Sequence, residues 1–148
     1  MKRFSVNISK YWTLNKLVVL ILMGGFIVIL TQVRYDHRVI LQKQAIAWTP
    51  IVFSILMIVS CVLGLSFWNR GGRSALAVRF LIAIAVGLLG FWYHTNGRPV
   101  RAVTHNLSAW VKKIPDEDKP PALAPLAFAG FGLLGWCACT KRFQKEST

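Results

Sequence analysis

At 148 residues the chain has room for a single domain, and it combines 55% hydrophobic residues with a formal charge of +13. The two do not mix along the sequence: long uncharged apolar blocks alternate with short segments that hold nearly all the Lys and Arg. A basic nucleic-acid module would mix its cations into a soluble fold, so no nucleic-acid partner is expected, and a lipid bilayer is.

The first apolar block runs over about 14–33 and is unbroken from Leu17 to Leu30. Lys2, Arg3, Lys10 and Lys16 give it a cationic lead, as in a cleaved signal peptide. The lead is long, the apolar stretch exceeds a usual signal core, and no A-x-A-like site follows Leu30, so a retained signal-anchor helix is the preferred reading. The second block, about 45–68, has Pro50 near its start, where a missing amide donor costs little. A third covers about 74–93 and a fourth about 122–140. Each is close to the roughly 20 helical residues that cross about 30 Å of hydrocarbon. Tyr11, Trp12, Trp48, Trp68, Trp92, Tyr93 and Trp136 mark block ends, the depth that amphipathic rings favour. The expected fold is an all-α membrane protein, one integral membrane domain over 1–148 with four transmembrane helices in a bundle.

Between blocks three and four, the stretch 100–114 (VRAVTHNLSAWVKKI) predicts a short amphipathic interfacial helix. At 100° per residue, Val100, Val103, Leu107, Trp110, Val111 and Ile114 share one side, and Arg101, His105, Ser108, Lys112 and Lys113 the other. Pro99 suits its first turn and Pro115 ends it. Lying in the headgroup plane, it would be anchored by Trp110, with Arg101, Lys112 and Lys113 toward phosphate. The competing placement lays its apolar face over the open end of the bundle or a partner subunit.

Orientation follows from the cations flanking the spans. Lys2, Arg3, Lys10, Lys16, Arg70, Arg73, Arg79, Lys141, Arg142 and Lys145 lie on one face, ten in all. Arg34, Arg38, Lys43, Arg98, Arg101, Lys112, Lys113 and Lys119 make eight on the other. The balance predicts both termini in the cytoplasm, as for a bacterial inner-membrane protein.

In lipid, helices associate through close backbone approach, so small residues at helical spacing mark packing faces. Ala129, Gly132, Gly135 and Ala138 recur every third residue in the fourth block, and Ala83, Gly87 and Gly90 form a similar run in the third. The expectation is that these faces meet inside one bundle. The alternative is that one of them docks a helix of a larger complex or of a second copy.

Polar chemistry is thin. His37, His94 and His105 fall on one face under this topology, and imidazoles at one depth can hold a haem or a divalent metal, with Asp36 as a further ligand. No H-x-x-H, H-x-x-x-H or C-x-x-C-H spacing supports that, and interfacial histidines bonded to water and headgroups are the plainer reading, so no cofactor is predicted. Cys137 and Cys139 form a C-x-C whose side chains point about 200° apart on a helix and cannot close an ordinary disulfide there. Cys61 lies within the second block. Arg79, just inside the third, is placed to snorkel toward headgroups. No block holds Asp or Glu, which argues against a proton-coupled transporter. The leading expectation is a non-catalytic accessory, assembly or scaffold subunit of a membrane complex. The alternatives are a haem- or metal-linked redox protein using the three histidines, and a small oligomeric transporter.

Overall fold

The computed structural model describes residues 13–36, 38, 40–42, 45–101, 103–104 and 123–140. Four α-helices carry the architecture: α1 (Leu14–Asp36), α2 (Thr49–Ser66), α3 (Gly72–His94) and α4 (Leu126–Cys139). No strand occurs among the described residues. The first three helical segments are long and apolar enough to cross a membrane, while α4 is shorter, at 14 residues. Between 17% and 33% of the most apolar stretch of each long segment is buried inside the chain. The remainder, including Ile21, Val28, Leu56, Val59, Ile82 and Leu89, turns outward. Water is a poor solvent for so much apolar surface, and the pattern suggests a membrane protein.

Inward positions repeat at alternating three- and four-residue steps. In α1 they are Val19, Leu22 and Phe26; in α3, Leu76, Phe80, Ala83 and Gly87; in α4, Phe128, Gly132, Gly135 and Cys139. That spacing keeps one narrow stripe facing a neighbouring helix. The most extensive pairing is α3 with α4, followed by α1 with α2, and α2–α3 and α1–α4 contacts close the ring. A cluster of phenylalanines joins α1, α2 and α4 at mid-depth. Phe26 sits 5.6 Å from Phe131 edge-on and 6.0 Å from Phe128, and Phe53 lies 5.8 Å from Phe128. These are favourable tilted and edge-to-face separations.

Hydroxyls in α2 find partners without leaving the helix. Ser54 donates to the carbonyl of Pro50 (2.8 Å), Ser66 to that of Val62 (2.8 Å), and Ser60 to that of Leu56. Back-bonding of this kind removes the cost of a bare hydroxyl among apolar groups.

The helix ends depart from the expected spans for identifiable reasons. α1 continues three residues beyond position 33, and Arg38 beyond its end stacks over the Tyr35 ring at 4.7 Å. The second span was expected as helix from 45. Instead Ala45–Trp48 is a 3-10 turn and α-geometry starts at Thr49, since the Pro50 ring disfavours α-conformation in the residues before it. Ile40–Gln42 forms another 3-10 turn, and the Trp48 indole donates to the Leu41 carbonyl (3.2 Å). Leu41, Ala47 and Ile51 thereby gather over Leu30 and Val33, a second small apolar cluster at the end of the α1–α2 pair.

The fourth span was expected over 122–140. A turn occupies 123–125 and α4 starts after Pro125, which has no amide hydrogen to continue a helix backward. At 1.5 Å per residue α4 is about 21 Å long, short of about 30 Å of hydrocarbon.

Of the amphipathic segment, residues 99–101 and 103–104 are helical, with Pro99 at the start and the Thr104 hydroxyl donating to the Val100 carbonyl (3.1 Å). Residues 105–114, with Trp110, Lys112 and Lys113, lie outside the described residues.

The α2–α3 connection is short. Trp68–Arg70 makes one 3-10 turn and Gly71 reverses the chain at φ +93°, a conformation that a Cβ penalises. An added Cβ at Gly71 meets no atom within 4 Å. Gly71→Ala therefore isolates backbone strain and is expected to cost about 1 kcal/mol. Gly24→Ala, equally unobstructed but within α1, is expected to be neutral or stabilising by up to about 1 kcal/mol. Thermal unfolding in a mild detergent, read by circular dichroism, checks both.

Candidate functional site

The most sharply built contact in the molecule is the seam between α3 and α4. A Cβ added at Gly132 would lie 2.6 Å from the Phe80 carbonyl oxygen and 2.7 Å from the Ile84 nitrogen. At Gly87 it would lie 2.4 Å from the Ala129 nitrogen. Gly135 accepts the face of the Phe80 ring, Gly90 lies against Pro125, and Ala83 is fully buried. Backbone thus rests on backbone along this seam, a separation that only glycine permits. The pairings run Gly90 with Pro125, Gly87 with Ala129 and Phe80 with Gly135, so the two helices are antiparallel and α4 lies alongside all but the ends of α3. The small-residue face of α4 is occupied by α3 of the same chain.

Elsewhere the packing is larger in scale. Gly25 of α1 takes the edge of the Phe131 ring, and Gly64 of α2 takes Leu76. Cys61 and Cys139 are buried in the main apolar cluster and Cys137 is half-buried; all three are free thiols.

Of the three histidines, His94 is described. It ends α3 half-buried, beside Thr95, whose hydroxyl donates to the Phe91 carbonyl (2.9 Å). Asn96 and Gly97 then take left-handed φ values of 49° and 71°, turning the chain toward Pro99. His37 and His105 lie outside the described residues, as does any meeting of the three. Among the described residues no group of three or more His, Cys, Asp or Glu side chains is placed to hold a metal ion. Arg101 is exposed on the first turn after Pro99.

A feature absent from the sequence reading lies at the other end of α3. A groove of about 320 Å³ opens between the last turns of α2 and the first turns of α3, lined by Ser60, Gly64, Phe67, Arg70, Gly72 and Arg79 among others. Its signal was available in the small residues Ser60 and Gly64, one helical turn apart on α2, facing Gly72 and Ala75 on α3.

Comparison with protein-family models, with curated proteins and with solved structures finds no match to this chain.

Gly132→Val places two methyl groups where α3 backbone already stands. The expected loss is about 1–3 kcal/mol, read as a lower thermal midpoint in detergent. Gly130→Val, one turn face away with nothing within 4 Å of an added Cβ, is expected to change stability by no more than about 0.5 kcal/mol.

Proposed function

We propose that this chain is a four-span membrane protein serving as a non-catalytic accessory, assembly or scaffold subunit of a membrane complex. One observation supports this above the others. The interior is filled by side chains, with the phenylalanine cluster at mid-depth and backbone contact along α3–α4, while the outer face is almost wholly apolar. What such a molecule offers its surroundings is its outside, to lipid and to neighbouring transmembrane helices.

The fourth span belongs to this reading because α4 runs antiparallel to α3 at the same depth. Where α3 crosses hydrocarbon, α4 lies in it too, and the non-helical residues before Leu126 complete the crossing. Residues 123–125 pass beside Gly90, about 6 Å short of the end of α3 at His94, so little irregular backbone is needed. Such backbone is tolerated at membrane depth where protein covers it. The cation balance then places both termini, and the α2–α3 turn, on the cytoplasmic side of a bacterial inner membrane. The start of the amphipathic segment lies at the opposite face, with Arg101 at headgroup level.

Single cysteines at Asn69, Asn96 and Thr148, in a background with Cys61, Cys137 and Cys139 replaced by Ala, report the topology. With an impermeant thiol reagent on intact cells, Asn96→Cys is expected to react directly, and Asn69→Cys and Thr148→Cys only after permeabilisation. Reaction of Asn69→Cys and Asn96→Cys from one side contradicts the crossing of α3. Blue-native electrophoresis after mild solubilisation is expected to show the chain within a larger assembly whose other members fall in amount on its deletion. Migration alone, with no neighbour lost, contradicts the subunit role.

A further inference from the structure

The groove between α2 and α3 is hollow because its walls are small. Ser60 and Gly64 on one helix face Gly72 and Ala75 on the other, and the apolar rim is completed by Leu63 and Phe67, both exposed. Two exposed arginines open onto it. Arg70 sits at the mouth, in the connecting turn, and Arg79 lies seven residues into α3, about 10 Å deeper along the axis. A guanidinium at that depth needs an anion, or a route to the headgroups. The chain does not supply the anion from its described residues. The sole acidic residue among them is Asp36, at the opposite end of the bundle, separated from this groove by the length of α2, about 27 Å. The N-terminal end of α3, with its partial positive charge, opens on the same groove at Gly71 and Gly72.

We propose that this groove binds one anionic phospholipid, its phosphate held between Arg70 and Arg79 and an acyl chain laid along Leu63 and Phe67. Planar guanidinium groups match phosphate oxygens with paired hydrogen bonds, and the apolar rim selects a lipid over free phosphate. The site rests on the membrane reading above and adds to it a defined ligand class on the cytoplasmic side.

Native mass spectrometry of the full chain, released from phosphatidylcholine nanodiscs into mild detergent and titrated with phosphatidylglycerol or phosphatidylcholine, tests it. One phosphatidylglycerol is expected to bind at least about tenfold more tightly than phosphatidylcholine. The double variant Arg70→Gln/Arg79→Gln is expected to lose that preference, while Arg34→Gln/Arg98→Gln, altered at the other end of the bundle, keeps it. Arg79→Lys retains the charge without the fork and is expected to fall between, so the result does not depend on the double variant folding. Equal binding of the two lipids by the unaltered chain, or an undiminished preference in the double variant and in Arg79→Lys, overturns the site. Displacement of the lipid by millimolar inorganic phosphate also overturns it, in favour of a free-anion pocket. A chain that enters nanodiscs but shows no preference sinks this site alone; one that cannot be incorporated removes the membrane reading and the site together.

Discussion

A helix surrounded by hydrocarbon gains little by hiding an apolar face, because lipid tails are as apolar as leucine. What remains to hold such helices together is contact, and contact is closest where no side chain intervenes. The α3–α4 seam meets that constraint through Gly87, Gly132 and Gly135, each at a point where a single added carbon would strike a neighbour. The rest of the arrangement follows from it. With α4 pressed onto α3, the Phe128 and Phe131 rings project toward α1 and α2, where Phe26 and Phe53 meet them. The seam thus sets the width of the bundle, and the aromatic cluster fills what is left.

The same economy of small residues has opposite results at the two sides of α3. Facing α4, glycines let the backbones close and leave no space. Facing α2 near the connecting turn, Gly64 is filled by Leu76 from one side, but Ser60, Gly72 and Ala75 leave a groove beside it. Whether a small residue makes a seam or a hollow depends on what the opposing helix places across from it. At Gly132 that is the Phe80 and Ile84 backbone; at Ser60 it is the short first turn of α3.

The three long helices were legible because composition alone marks them: blocks of apolar residues bounded by cations and aromatic rings leave few alternatives. Their ends were less so. The 3-10 turn at Ala45–Trp48 looks apolar enough to be helix, and only the position of Pro50 moves the start of α2 to Thr49. Pro125 trims α4 in the same way, although residues 122–125 match the composition of the span. The apolar cap made by Leu41, Ala47 and Ile51 was not legible, since it depends on an indole hydrogen bond across a loop. The small-residue runs of blocks three and four could be read from spacing, whereas their pairing register and the α2–α3 groove could not. Both arise from which faces meet, a relation between helices that no single periodicity contains.

Everything rests on the outward residues of α1, α2 and α3 lying against lipid tails, with backbones satisfied internally because no water reaches them. Hydrogen–deuterium exchange of the chain in lipid nanodiscs measures this directly. Amides in the central turns of the three long helices are expected to remain protected for hours although their side chains are exposed on the bundle surface. Exchange of those amides within seconds, as on the water-facing side of a soluble helix pair, would contradict the account.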